Sequence, residues 1–260
     1  MTPTARRTCN VSNKPIKAHF VCGGKFHDMQ FARLQILQML YENERIYTTV
    51  SEDYSDIEAI ESADFLVAYT CDVVPSAREL EAIKGFFAEG KRWLALHGTN
   101  SIIEFLDDGR VGAPRTAPLL MEMLGSQFLA HPPIQEFEVT VSDPNHPLVA
   151  GIEPFKVTDE LYLCEFHGEC VPLLETKWVG EVPEFADSDW NDDQPRLVMY
   201  LHPYDAGQVL YFNLGHCRRA YDMQPLMEIW PDRDLCSWEN PVMYELVKRG
   251  ISWAVEPFAA

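Results

Sequence analysis

Histidines in short turns are the residues of this chain best suited to chemistry. Six of its eight histidines lie beside glycine, proline or aspartate, most of them where an apolar run ends: His27, His97, His131, His146, His202 and His216. A strand that stops in a small residue leaves its last side chain at the rim of the sheet, where open α/β folds bind ligands. Imidazoles gathered at that rim can transfer protons or hold a metal ion.

Three of these histidines occupy comparable places along the chain. His27 follows the first predicted strand, His97 the fourth, and His216 a late hairpin. Zinc and related ions take imidazole nitrogen and carboxylate oxygen, and a catalytic ion commonly has three protein ligands. We therefore predict a divalent metal, zinc or manganese, on these three residues. No short zinc motif such as His-Glu-x-x-His is present, so hydrogen-bonded structural histidines are an equal alternative.

The carboxylate motif that stands out is Asp159-Glu160-Leu161-Tyr162, which follows a polar turn. A glutamate buried beside a metal or an apolar surface can act as a general base near neutral pH, so Glu160 is a candidate catalytic residue. An exposed carboxylate at a strand edge explains the motif equally well. His131, whose following proline holds the backbone extended, is a second catalytic candidate at the pocket.

Alternating strand and helix patterns predict the elements that position these side chains. Apolar runs at 16–22, 65–69 and 92–96 indicate buried strands, and helical spacing follows residue 28. Ser76 and Glu79 form a capping box at the start of a further helix. Strands that alternate with helices predict βαβ units and a mostly parallel sheet.

We predict a single domain over residues 1–260, with a loose N-terminal segment at 1–15. Two inserted loops, at 177–195 and 227–240, interrupt the pattern. The first is acidic and carries Trp190. It is either a solvated loop pinned by an aromatic residue or a lid whose indole stacks on a sugar.

Composition excludes several classes of function. A net charge of −19 and a pI near 4.7 disfavour nucleic-acid binding, which needs clustered Lys and Arg. No apolar stretch reaches the roughly 18 residues of a membrane span, and no signal peptide is recognisable, so a cytoplasmic protein is expected. Seven cysteines without a Cys-x-x-Cys pair indicate reduced thiols.

An ordered set of short motifs resembles the ThuA-like (trehalose-utilisation) family. The motifs are Leu96-His97-Gly98, His131-Pro132-Pro133, Asp143-Pro144-Asn145-His146-Pro147, Asp159-Glu160-Leu161-Tyr162 and the run from Gly207 to His216. The resemblance covers about residues 16–255. It implies an α/β fold of the class I glutamine-amidotransferase-like, flavodoxin-like type. This fold is a three-layer sandwich around a mostly parallel sheet, here with a late β-hairpin and inserted loops.

The same resemblance argues against glutaminase chemistry. Members of that superfamily place a nucleophilic cysteine on a tight strand-to-helix elbow, and here His97-Gly98 resembles that position. No Gly-x-Cys-x-Gly occurs in the chain. His216 resembles the late catalytic histidine, but the carboxylate expected two residues later is absent because Cys217-Arg218-Arg219 follows.

Family association implies an enzyme acting on sugars or glycosides oxidised at C3 by a partner dehydrogenase. A ketone at C3 acidifies the C2 proton, which Glu160 or a histidine (His97 or His131) would remove while a metal ion polarises the ketone. Isomerisation and eliminative or hydrolytic cleavage share this step, so both remain open. Predicted substrate contacts are Asp28, Asn100, Tyr162 and Trp190.

The resemblance implies a small sugar or glycoside as the partner. Further copies of the chain are a generic expectation, charge and hydropathy argue against nucleic acid and a membrane as partners, and no nucleotide cofactor is expected. The alternative function is a non-catalytic carbohydrate-binding or regulatory module.

Overall fold

The computed structural model describes residues 14–258, and within them fifteen strands and five α-helices. The strands are Ile16–Gly24 (β1), Ile46–Ser51 (β2), Phe65–Cys71 (β3), Arg92–Leu96 (β4), Glu104–Phe105 (β5), Val111–Gly112 (β6), Ser126–Ala130 (β7), Gln135–Val141 (β8), Phe155–Asp159 (β9), Leu163–Phe166 (β10), Val171–Thr176 (β11), Gly180–Glu181 (β12), Asp189–Trp190 (β13), Arg196–Tyr204 (β14) and Gly207–Phe212 (β15). The helices are Met29–Tyr41 (α1), Ile57–Ser62 (α2), Ala77–Ala88 (α3), Pro118–Leu124 (α4) and Pro241–Val255 (α5).

Nine strands form one sheet in the order β2-β1-β3-β4-β15-β14-β11-β8-β9. Neighbours from β2 to β15 run parallel, as the alternation of strands and helices predicts. From β15 outwards the pairs are antiparallel, beginning with the predicted late hairpin of β14 and β15. The carboxyl ends of β1, β3, β4 and β15 therefore meet along one edge of the sheet.

Helices cover both faces of this sheet and complete three layers. In β3, Phe65 and Val67 belong to an apolar core that includes α1 and α5, whereas Leu66 and Ala68 belong to a second core with α2, α3 and α4. Successive side chains of a strand point to opposite faces, so a strand buried on both faces is apolar throughout, as β3 is. The α/β sandwich predicted from the sequence is confirmed.

Local end signals place the helices as expected. Ser76 and Glu79 form the predicted capping box at the start of α3. Gly125 ends α4 at a φ of +79°, and Asn240 caps α5 before Pro241.

The inserted loops have some structure of their own. The 177–195 loop contains the hairpin of β12 and β13, and the 227–240 loop contains the 3₁₀ turn Cys236–Glu239. All but the last two residues of the predicted loose segment 1–15 lie outside the described residues. The six cysteines within the described part of the chain are free thiols. Among the described helices, none combines the length and apolar character needed to cross a bilayer.

Candidate active site

His97 lies on a tight elbow at the carboxyl end of β4. Its φ of +43° is in the left-handed region, which a non-glycine residue occupies only when its surroundings hold it there. The elbow lies so close to β3 that a Cβ on Gly98 would come within 2.7 Å of the Thr70 carbonyl oxygen. The imidazole is fully buried, and its Nδ1 donates to the Asn213 carbonyl oxygen at 2.8 Å. Its Nε2 is therefore left with a free lone pair in the neutral ring.

His27 is held in the same tautomer in the loop between β1 and α1. Its Nδ1 donates to the Lys25 carbonyl oxygen at 3.1 Å, because a carbonyl oxygen can only accept. This leaves the Nε2 lone pair of His27 facing the Nε2 of His97 at 2.9 Å. Two facing lone pairs repel unless a proton or a cation lies between them.

Asp159 fixes the positions of Glu160 and His216, which are distant in sequence. Its buried carboxylate accepts from the backbone amides of Glu160 at 2.7 Å, Gly215 at 3.0 Å and His216 at 3.2 Å. These bonds join the end of β9 to the loop that follows β15. The side chains of Glu160 and His216 consequently reach the same space as His27 and His97.

The four side chains converge on one point. Nε2 of His27, Nε2 of His97, a ring nitrogen of His216 and a carboxylate oxygen of Glu160 lie within 4.8 Å of one another, and all four residues are buried. Glu160 Oε2 is 3.2 Å from His216 Nδ1, 3.6 Å from His97 Nε2 and 3.8 Å from His27 Nε2. Ligand atoms on a tetrahedral zinc ion are spaced about 3.3 Å apart, so these residues fit a divalent ion.

The buried nitrogens of His216 support the same assignment. Nδ1 of His216 has only the Glu160 carboxylate within 3.2 Å, and Nε2 has no hydrogen-bond partner within the described residues. Buried polar atoms without a partner are rare and call for an explanation, such as an ion. His216 Nε2 also lies 4.0 Å from Asp234 Oδ2, the arrangement of a ligand with a carboxylate behind it.

Burial sets the charge of the cluster. Loss of hydration lowers the pKa of His27 to about 4 and that of His216 to about 3, although Glu160 opposes both shifts. Burial also opposes ionisation of Glu160, yet the charges of His131 and His216 hold its pKa well below the usual range. At neutral pH His27 and His216 are therefore neutral and Glu160 is a carboxylate, the forms that bind metal ions.

Two further side chains, His131 and Arg218, face the second oxygen of Glu160. His131 Nε2 lies 3.3 Å from Glu160 Oε1, and His131 Nδ1 donates to the Pro132 carbonyl oxygen at 2.8 Å. Arg218 places a terminal nitrogen 3.7 Å from the same oxygen. The side chain of His131 is 26% exposed, so it is the histidine around Glu160 that solvent and ligands reach.

Glu160, His131 and Arg218 lie at the wall of an inner cavity of about 120 Å³. Its other walls are largely aromatic or aliphatic: Phe26, Ile103, Phe105, Val111, Phe128, Tyr162, Phe185, Met223 and Leu226. An outer cavity of about 720 Å³ shares Phe26 and His27 with it and is lined by residues 24–30, 219–222, 224 and 230–233. The inner cavity is smaller than most ligand pockets, and the outer cavity falls within their usual size range.

The structure places the predicted substrate residues in different surroundings. Tyr162 lines the inner cavity, with its ring centroid 4.4 Å from that of His97. Asp28 lines the outer cavity, where it caps α1 and pairs with Arg219. Asn100 and Trp190 line neither cavity.

Local bonds explain the positions of Asn100 and Trp190. Asn100 is buried and donates to Ser126 Oγ at 2.6 Å, and the Trp190 indole donates to the Asp187 carbonyl oxygen and stacks on Arg196. Their substrate contacts stay predictions.

Sequence reasoning gave no site role to Arg218, Asp159 or Phe185. Arg218 was visible only as the residue that replaces an expected carboxylate two positions after His216. Asp159 belongs to the Asp159–Tyr162 motif, but its bonds to Gly215 and His216 join distant parts of the chain. Phe185 belongs to the inserted loop for which a solvated loop and a lid were both open, and it reaches the cavity where Trp190 does not.

Comparison with known families agrees with the family resemblance of the sequence motifs. The family model described as trehalose utilisation, ThuA, matches residues 18–230. The chain belongs to the ThuA family. No curated protein is significantly similar to this ThuA-family chain in sequence.

Solved structures share the fold at low sequence identity. A ThuA-like protein from Bacteroides uniformis is 14% identical with a TM-score of 0.65, covering 95% of this chain and 95% of that one. A ThuA-like protein from Parabacteroides merdae is 15% identical with a TM-score of 0.61, covering 94% and 91%. A cold-adapted β-galactosidase from Rahnella sp. R3 is 12% identical with a TM-score of 0.56, covering 95% of this chain and 32% of the enzyme. At such identities the likeness shows the fold.

Proposed function

We propose that this ThuA-family protein is a metal-assisted enzyme that removes the C2 proton of a keto-sugar or 3-keto-glycoside. The observation that carries the proposal is the convergence of four buried metal-ligand side chains, His27, His97, Glu160 and His216, beside a cavity. Membership of a family described by trehalose utilisation supports a carbohydrate substrate.

The donor set supports a resident divalent ion, zinc or manganese. His27 and His97 direct their Nε2 atoms at each other at 2.9 Å, and the low pKa of His27 leaves the Nε2 of that ring without a proton at neutral pH. An ion bound there would act as a Lewis acid on a substrate carbonyl. Glu160 offers Oε2 to the ion, and its Oε1 remains directed at His131.

His131 is the general base in this proposal. It reaches the inner cavity, and its Nε2 carries a free lone pair because Nδ1 donates to the Pro132 carbonyl. A proton taken from C2 onto Nε2 is held 3.3 Å from Glu160 Oε1, whose charge stabilises the imidazolium. Return of that proton to another carbon gives isomerisation, and expulsion of the C1 substituent gives eliminative cleavage.

The elbow argues against amide transfer. The strand-to-helix turn that would carry a nucleophilic cysteine carries His97 instead. The ring nitrogens of His97 face the Asn213 carbonyl oxygen and the Nε2 of His27. Cys71 and Cys217 lie near the cluster, but burial raises the pKa of each thiol to about 12, which disfavours the nucleophilic thiolate.

Two measurements test the proposal. Metal analysis of the purified protein should find zinc or manganese near unit stoichiometry, and NMR should show exchange of the C2 proton of a 3-keto-glycoside in deuterated water. His131→Gln should slow the exchange by about 10²–10⁴-fold without loss of metal, since it removes a general base.

His167→Gln is the matched control, because His167 is similarly exposed and lies 3.7 Å from Glu165, away from both cavities. It should leave the exchange rate unchanged. A metal-free protein that binds a panel of keto-glycosides and returns them unexchanged would overturn the proposal and favour a carbohydrate-binding module.

A further inference from the structure

Arg218 is a second cavity-facing group with no role in the proton transfer described above. We propose that its guanidinium binds the substrate oxygen on which negative charge develops when the C2 proton leaves. This inference rests on the proposed function and adds a catalytic residue to it. It also predicts that the oxygen to be stabilised is the one on C3.

The guanidinium is held in place from three sides. Arg218 Nε donates to the Phe26 carbonyl oxygen at 3.1 Å. The guanidinium carbon Cζ of Arg218 lies 4.6 Å from the centre of the Trp230 ring. The backbones of Arg218 and Asp234 exchange two hydrogen bonds of 2.9 and 3.0 Å. A donor fixed in this way needs no rearrangement when charge appears in front of it.

Its terminal nitrogens are nevertheless free to bind a ligand. They lie 3.7 Å from Glu160 Oε1 and 3.9 Å from Asp234 Oδ2, longer than the 2.7–2.9 Å of a charge-assisted hydrogen bond. The described residues provide no hydrogen-bond acceptor for these nitrogens. Arg115 on the surface shows the contrast, since its guanidinium grips Glu165 with bonds of 2.7 and 3.2 Å.

The base and the proposed donor border the same point. His131 Nε2 and a terminal nitrogen of Arg218 lie 3.3 and 3.7 Å from the one oxygen, Glu160 Oε1. In a keto-sugar, C2 and the oxygen on C3 are only two bonds apart. A sugar that presents C2 to His131 therefore brings its C3 oxygen within reach of Arg218.

The step balances without a further reactant. His131 takes the C2 proton, the electron pair of that C–H bond forms the C2=C3 double bond, and the π pair of the C3 ketone moves onto its oxygen. The proton rests on His131 and the negative charge on the C3 oxygen, to which Arg218 donates N–H bonds. Reprotonation of carbon reverses these movements.

The test compares Arg218→Gln, Arg218→Lys and Arg218→Ala with Arg115→Gln as the control for loss of a surface arginine. For each protein, the C2 exchange rate of a 3-keto-glycoside, its KM and the bound metal are measured. Arg218→Gln should lower kcat by about 10²–10³-fold with unchanged metal content, as removal of one oxyanion donor does. Arg218→Lys should recover only part of the rate, because lysine lacks the planar fork.

Chemical rescue separates this role from a structural one. Added guanidinium ion, below the concentration that unfolds the protein, should restore part of the activity of Arg218→Ala and none to His131→Gln. An Arg218→Gln variant within about threefold of wild-type kcat would overturn the inference, given the size expected for an oxyanion donor. Metal loss in proportion to activity would also overturn it, since Arg218 would then act by holding Glu160. Failure of the wild-type protein to exchange C2 would reject the proposed function, and the inference with it.

Discussion

His97 and His202 are both buried histidines, but their surroundings are opposite. His202 lies with one ring nitrogen 2.7 Å from the Glu169 carbonyl oxygen and the other 2.9 Å from the Glu122 carbonyl oxygen. Gly125 leaves room for its ring, since a Cβ there would lie 2.6 Å from the ring carbon Cγ. His97 has one nitrogen bonded to a carbonyl and the other directed at the lone pair of His27.

The difference shows which buried histidines are built for stability and which for binding. His202 joins α4, β14 and the turn before β11, and each of its ring nitrogens lies within hydrogen-bond distance of a carbonyl oxygen. The cluster around Glu160 leaves Nε2 of His216 without a hydrogen-bond partner among the described residues, at a cost to the folded state. A chain retains such a cost where the unpaired groups serve a ligand.

The largest expected effect is loss of the proposed metal ion from a variant of the four-residue cluster. His97→Ala should weaken metal binding by more than about 100-fold, because even residues behind the ligands contribute 10–100-fold. His202→Ala should leave metal binding unchanged. Titration of metal-free protein, followed by mass spectrometry of the bound ion, measures both. Equal losses of metal affinity in His97→Ala and His202→Ala would show that the two histidines do not differ in their role.

For stability we expect His202→Ala to have the larger effect and His97→Ala the smaller one. His202→Ala removes the buried hydrogen bonding of this ring and leaves a cavity, so the free energy of unfolding should fall by about 2–4 kcal/mol. Urea unfolding of the metal-free proteins measures this change, with His167→Ala as a control on a partly exposed histidine. If His97→Ala destabilised the metal-free protein as much as His202→Ala does, the cluster would itself be a structural element.

We expect the loss of folding stability at low pH to come from the buried histidines of the cluster. The pKa of His216 is about 3 and that of His27 about 4 in the folded protein, against about 6.5 in an unfolded chain. As the pH falls below 6.5 the unfolded chain takes up these protons first, so the metal-free protein loses stability. Each such histidine contributes up to about 1.4 kcal/mol per pH unit.

Replacing one cluster histidine should reduce by one the number of protons taken up on unfolding, and so weaken the dependence of the unfolding free energy on pH. His216→Leu removes a titrating group, so it should flatten the stability profile between pH 6.5 and 5. Unfolding in urea at intervals across that range gives the slope for wild type and variant. The same slope in both proteins would mean that other groups carry the acid sensitivity.

The sequence predicted the fold where a local pattern carries the information. The buried run of β3 and the capping box of α3 are such patterns, and both are present. The antiparallel half was harder to predict, because β8, β9 and β11 are placed by pairing with distant strands. Short alternating strands do not specify which neighbours they pair with.

The site likewise contains residues whose positions a local pattern predicts and residues whose positions depend on distant contacts. Strand-end positions predicted that His27, His97 and His216 would share one edge, and the structure brings them together. The place of Glu160 beside them depends on bonds from Asp159 to Gly215 and His216, which no local pattern contains. A role for Arg218 requires knowing that its guanidinium turns into the inner cavity.

The smallest expected effect extends the comparison to two aromatic residues of one loop. Phe185 lines the inner cavity with its ring centroid 4.8 Å from that of His131, whereas Trp190 stacks on Arg196 and lines neither cavity. Phe185→Ala should raise KM by about tenfold, since loss of part of an apolar pocket costs about 1–3 kcal/mol. Phe185→Leu should restore most of that loss, and Trp190→Ala should leave KM within about threefold of wild type. Steady-state kinetics on one keto-glycoside decide between the two residues. A larger rise in KM for Trp190→Ala than for Phe185→Ala would show that the indole covers the bound sugar, as the lid hypothesis predicts.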